Sequence, residues 1–129
     1  MAQIKHLFRG KQGEDLACSF LEKCGYKIKA RNYTNSQGIR LGEIDIIAEK
    51  KGRIVFVEVK TRVKQTGGQD LLPEQNINRA KLNKLSRIAE VYMRSTKQTD
   101  KSYGFDAVTV VIDNVSDEVS IRHLQDIFL

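Results

Sequence analysis

The chain has 129 residues, 40% of them hydrophobic and 29% charged, with a net charge of +6 and two cysteines. That length suits one domain over residues 1–129, burying on the order of two-thirds of its unfolded surface without staples. No apolar run approaches the ~20 residues of a membrane span. Met1 to Lys11 lacks the apolar middle of a signal peptide, so a cytoplasmic protein with no membrane partner is expected.

The charge is unevenly placed. Residues 1–64 hold 14 Lys/Arg against 7 Asp/Glu, and residues 65–129 hold 8 against 9. A basic half favours a polyanion partner such as nucleic acid. Within it, Lys11, Arg40, Arg62 and Lys64 are the candidate phosphate contacts.

Residues 1–9 read as an irregular start. From about Lys11 to Cys24 the apolar residues Leu16, Ala17, Phe20, Leu21 and Cys24 follow helical spacing, and Gly25 is the stop. Glu14 borders that stripe in the first turn, where it either compensates the helix dipole or serves a site. Cys18 and Cys24, about 9 Å apart at helical rise, are too distant for a disulfide. They read as buried helix residues, and no cysteine spacing suits a metal. Tyr26 to Tyr33 alternates as a strand, and Thr34 to Gly38 is a polar turn.

From about Ile39 to Thr61 the sequence reads as a β-hairpin turning at Lys51-Gly52. That turn opposes Asp45 with Glu58 and Glu43 with Lys60. It also places Ile44, Ile46, Val55, Val57 and Val59 on one apolar face. Opposed side chains have Cβ atoms roughly 4.5–5.5 Å apart, and like charges at that separation destabilise a sheet. A divalent cation, which as a hard ion takes carboxylate oxygens, would remove the conflict. Lys60, two residues after Glu58, shares its face. An ordinary solvated hairpin face with ion pairs is the competing reading.

Residues 63–76, with Gly67-Gly68 and the single proline Pro73, form a loop of roughly a dozen residues. A second helix is expected over Ile77 to Ser95, capped by Asn76 or Asn78, with Leu85, Ile88, Ala89 and Tyr92 as its apolar stripe. Lys81 points near the core side of that helix. There it either snorkels along apolar surface or reaches towards the carboxylates. Phe105 to Ile112 is a buried strand, Val119 to His123 a short edge strand, and Leu124 to Leu129 a short helical tail. His6 and His123 read as surface or packing residues.

Gly10-x-x-Gly13-Glu14-x-x-Ala17, Gly25-Tyr26, Arg31-Asn32, Gly42-Glu43-Ile44-Asp45 and Val55-Phe56-Val57-Glu58-Val59-Lys60-x-Arg62 resemble the bacterial YraN-like proteins. The likeness continues through Lys81, Ala89 and Tyr92 to Phe105-Asp106. That family in turn resembles the PD-(D/E)xK nuclease superfamily and, within it, archaeal Holliday-junction resolvases.

The resemblance implies an α/β, restriction-endonuclease-like fold: a mixed central β-sheet flanked by helices, in the order αβββαβ. It implies that Asp45, Glu58 and Glu14 hold a metal and that Lys60 completes the catalytic set. Lys81 matches a basic residue of the second helix; the hairpin spacing, not the resemblance, sets Glu43 behind the site to hold Lys60 in place. The implied cofactor is Mg2+ or Mn2+. The implied activity is hydrolysis of DNA phosphodiester bonds, on branched or damaged DNA among others. The residues do not separate DNA from RNA, and the likeness to resolvases is compatible with a homodimer. Ile44 stands where the superfamily has proline. Gly104 stands where the family often has arginine, which removes a phosphate contact. Two alternatives stay open: a nucleic-acid-binding module with the nuclease fold and little catalysis, and an interaction protein whose charged cluster only forms ion pairs.

Overall fold

The computed structural model describes residues 2–35, 42–64 and 79–127, with side chains from Gly10 onward. Arg40, residues 65–76 of the expected loop and the expected cap Asn78 lie outside these residues, while Val63 and Lys64, expected in that loop, belong to a strand. The elements are α1 (Ala2–Lys23), β1 (Lys27–Thr34), β2 (Glu43–Lys50), β3 (Arg53–Lys64), α2 (Arg79–Ser95), β4 (Tyr103–Asp113) and β5 (Val119–Leu124). The strands form one sheet in the order β1-β2-β3-β4-β5. The first three are antiparallel meander strands. β4 runs parallel to β3, and β5 returns antiparallel to β4. A parallel neighbour needs a crossover of a dozen or more residues, and the segment containing α2 supplies it.

The two helices cover opposite faces of the sheet. Ala17, Cys18 and Leu21 of α1 pack with Ile46, Ala48, Val55, Val57, Val108, Val110 and Ile112. Leu85, Ile88, Ala89, Tyr92 and Met93 of α2 pack with Ile44, Ile47, Ile54 and Phe56. β4 therefore lies between two layers, which is why its sequence is nearly continuous in apolar residues instead of alternating.

The hairpin turns at Lys51-Gly52, both with positive φ (53° and 79°), the conformation a two-residue turn between twisted strands requires. Its register pairs Ile46 with Val57, Ile47 with Phe56 and Ala48 with Val55. α1 ends as its glycine indicates: Gly25 has φ +95°, the Tyr26 N–H donates to the Leu21 carbonyl, and the Gly25 N–H donates to that of Glu22. This paired bonding satisfies carbonyls that a helix end otherwise leaves open.

Four expectations need correction. α1 starts at Ala2 and not near Lys11, because nothing in residues 2–9 breaks a helix and Gly10 is tolerated inside one. Cys18 is buried but Cys24, at the end of α1, is exposed, and both are free thiols. Leu124 belongs to β5, and no helix follows it among the described residues. Ile44 packs under α2 and not beside Ile46, so the alternation of β2 breaks at the intervening residue, Asp45.

Candidate functional site

Asp45 sits where β2 and β3 part. Continuing their register would oppose it with Glu58, and Glu43 with Lys60, but the ladder stops at Ile46↔Val57. Instead, the Val59 main-chain N–H donates to Asp45 Oδ2 at 2.7 Å. The carboxylate thus takes the place of a strand carbonyl and wedges the hairpin open at this point. Burial pushes its pKa up to about 7. The Val59 hydrogen bond opposes that shift, and the nearby charges of Glu58, Glu14 and Glu43 add to it. Burial of a carboxylate disfavours its charged form, and like charges do the same.

Glu58 follows on β3, its side chain only 10% exposed. Lys60 Nζ lies 3.3 Å from Glu58 Oε1, and Lys81 Nζ donates to the same oxygen at 2.5 Å. Lys60 reaches it because residues i and i+2 share a strand face, and Lys81 reaches it from the first described turn of α2. Lys60 is therefore held by Glu58 and not, as expected, by Glu43. The reason is that the opened ladder removes the Glu43–Lys60 pairing. Burial and the neighbouring Lys81 ammonium push the Lys60 pKa down, against the pull of Glu58. Lys81, despite burial, is pushed up by its hydrogen bond to Glu58.

Glu14 arrives from α1. Its approach depends on Gly13: a Cβ there would lie 1.9 Å from Thr61 Oγ1 of β3, so only glycine lets the helix backbone settle on that strand. β1 supplies two partners that sequence reasoning did not assign. Arg31 lies 2.8 Å from Asp15 and 3.7 Å from Glu14. Asn32, with its amide nitrogen facing the acids, donates to Glu43 Oε1 at 2.8 Å and to Glu14 Oε1 at 3.1 Å. Asn32 has φ +52°, a left-handed conformation that asparagine tolerates better than most residues. An adjacent Arg-Asn pair ending an alternating strand was the available signal.

The basic residues divide. Lys11 is exposed one turn before Glu14 on α1, and Lys64 is half-buried at the end of β3. Arg62 continues the face of Glu58 and Lys60, and its Nε is buried without a hydrogen-bond partner among the described residues. Thr109, paired in register with Lys60 across the parallel ladder, is 2% exposed and its hydroxyl also lacks a partner among the described residues. A threonine inside the apolar run of β4 could have been singled out from sequence for that reason.

The donors present are carboxylates, the type a hard cation selects, and Asp45 has its pKa raised first by burial and then by the nearby acids. Among the described residues, however, no group of three His, Cys, Asp or Glu side chains is gathered as a ready metal cage. Asp45 and Glu58 are suited in kind, with Glu58 turned to its two lysines.

The family described as uncharacterised protein family UPF0102 matches residues 13–110. A UPF0102 protein of Caldicellulosiruptor bescii is 40% identical over 120 residues, covering 92% of this chain and 95% of its own. One of Caldicellulosiruptor saccharolyticus is 42% identical over 110 residues, covering 85% and 86%. One of Chloroherpeton thalassium is 34% identical over 119 residues, covering 92% and 87%. The chain belongs to the UPF0102 family, the YraN-like proteins. The matched UPF0102 segment contains Glu14, Asp45, Glu58, Lys60 and Lys81, and leaves Lys11 outside.

At Gly104 this UPF0102 chain already has a cation nearby. A Cβ at Gly104 would lie 2.1 Å from the Arg53 guanidinium, which is held 2.5 Å from Asp126. His123, read as a packing residue, does pack edge-on against Phe20 and Tyr26. It also has an acid partner that the sequence did not disclose: His123 Nε2 lies 2.7 Å from Oδ2 of the buried Asp106. The other Asp106 oxygen accepts the Asp126 N–H, so the pair ties the end of β5 to β4. No helix among the described residues is long and apolar enough to cross a membrane.

Proposed function

We propose that this UPF0102 chain is a magnesium-dependent endonuclease of restriction-endonuclease-like fold, hydrolysing DNA phosphodiester bonds. One observation carries the reading: Asp45, Glu58 and Lys60 meet where β2 parts from β3, and burial and neighbouring acids raise Asp45 to about 7. Raised carboxylates beside a lysine cluster at functional sites more often than in ordinary ion-paired faces. The meander β1-β2-β3, the crossover to a parallel β4 and a helix on each face are consistent with the proposed fold.

Asp45 and Glu58, with Glu14 at the margin, would hold the metal, which supplies charge at phosphorus and an acidified water. Lys60 lies on the Glu58 face, its pKa pushed down by burial and by Lys81. It is suited to orient the attacking water and to stabilise charge developing on the phosphate. Arg62 extends the same strand face towards further phosphates. Asn32 bridges Glu14 and Glu43 and so sets the separation of α1 from the hairpin.

The arrangement of Glu58 favours a second reading, a nucleic-acid-binding module with little catalysis, since both lysines occupy the oxygen a metal would use. One assay separates the two. Purified protein is incubated with labelled linear, flapped and four-way DNAs and with RNA, in magnesium or manganese, alongside Asp45→Asn. Metal-dependent cleavage by the wild type and none by the variant is expected. Equal binding with no cleavage by either protein favours the module.

A further inference from the structure

Lys81 approaches Glu58 from α2, the helix that covers the sheet face of Ile54 and Phe56 on which Glu58 also lies. It reaches across from α2 and places its ammonium 2.5 Å from Glu58 Oε1, closer than Lys60 at 3.3 Å. Two ammonium groups on one carboxylate oxygen leave that oxygen little capacity for another ligand. Lys60 is bound to the site by its place on the same strand as Glu58. Lys81 is not: its side chain is 34% exposed. It also lines a groove of about 400 Å3 with Gly42, Glu43 and Lys84, which gives the ammonium room to move. A divalent cation at Asp45 and Glu58 would place two positive charges in contact range of that ammonium, and like charges so close repel strongly in a partly buried site.

We propose that Lys81 is a displaceable counter-cation. It holds Glu58 while the metal is absent, and it must leave the carboxylate for the groove when a divalent ion enters. The inference rests on the metal-site reading above and adds to it a built-in competitor that weakens magnesium binding. The opposite role is equally definite: if Lys81 only positions Glu58, its loss leaves the carboxylate misplaced and magnesium binding weaker.

Calorimetric titration of magnesium into the full chain, without nucleic acid, distinguishes them. Lys81→Met keeps the apolar stem and removes the charge, and Lys81→Arg keeps a cation. We expect Lys81→Met to bind magnesium about threefold to tenfold more tightly than wild type, the scale of one neighbouring charge, and Lys81→Arg to stay near wild type. Magnesium binding by Lys81→Met but not by wild type carries the same meaning. Unchanged or weaker binding by Lys81→Met, with wild type binding magnesium, overturns the displacement role and leaves the metal site standing. No magnesium binding by any of the three removes the metal site and this role together.

Discussion

Asp45 is the residue on which the proposed chemistry turns, and its energetics have a definite sign. Its folded pKa of about 7 lies above its ordinary value of 3.8. Between those pH values the folded state keeps a proton that the unfolded state has lost, so stability falls as pH rises from about 4 to about 7. Below that window the cost is absent, and above it the cost is complete. Asp45→Asn keeps the shape and an oxygen for the Val59 N–H but cannot ionise. Urea melts without metal should find the variant equal to wild type at about pH 4. At about pH 8 it should be more stable by several kcal/mol, since a rise of about three pKa units costs about 1.4 kcal/mol per unit once the group is ionised. A variant clearly less stable at the higher pH would mean that the charge is compensated by an ion pair. Magnesium should raise the melting temperature of wild type and leave Asp45→Asn unchanged, because a ligand stabilises only the state that binds it.

At the scale of elements, the seating of α1 on β3 decides whether Glu14 reaches the other acids. The seat is Gly13 against Thr61, with no room for a methyl group. Gly13→Ala should therefore destabilise the protein by about 1–3 kcal/mol, as overpacking does, although alanine is the better helix former. Thr61→Ala removes the nearest atom and part of the clash. The double variant should recover part of that loss in urea melts, a non-additivity expected of residues in contact. Additive losses would mean that the helix and strand are not in contact there. The β2–β3 hairpin has a different dependence: its ladder is closed near the turn and open at Asp45, so at the site β2 is held by β1 and β3 by β4, and not by each other.

The whole molecule joins a basic half to an acidic cluster within that same half. Phosphates would be drawn by the first 64 residues, with 14 basic side chains against 7 acidic ones, while on the proposed reading the acids would take the cation that lets a phosphate approach. DNA affinity, followed by fluorescence anisotropy, should fall steeply with salt as condensed counterions are released. Lys11→Ala should reduce the log–log slope by about 1 if that side chain meets a phosphate. Affinity that hardly changes between low and moderate salt would contradict a phosphate-led interface.

Local rules were enough for much of this. The alternation of Ile46 and Ala48 against Val55 and Val57, with a glycine turn between them, determines one register, since a slip of one residue would turn every valine to the other face. The spacing of Leu85, Ile88, Ala89 and Tyr92 likewise determines the buried face of α2, and Gly25 the end of α1. These are properties of a dozen neighbouring residues, so the sequence by itself contains them. It does not contain where the β2–β3 ladder stops, why Ile44 turns away from Ile46, or which lysine holds Glu58. Those depend on two helices pressing on opposite faces of one sheet, on Gly13 setting how close the first comes, and on Lys81 arriving from the second. The charges of Asp45, Glu58, Lys60 and Lys81 are legible in sequence. Their pairing is decided by burial, and burial exists only once the layers have closed over the sheet.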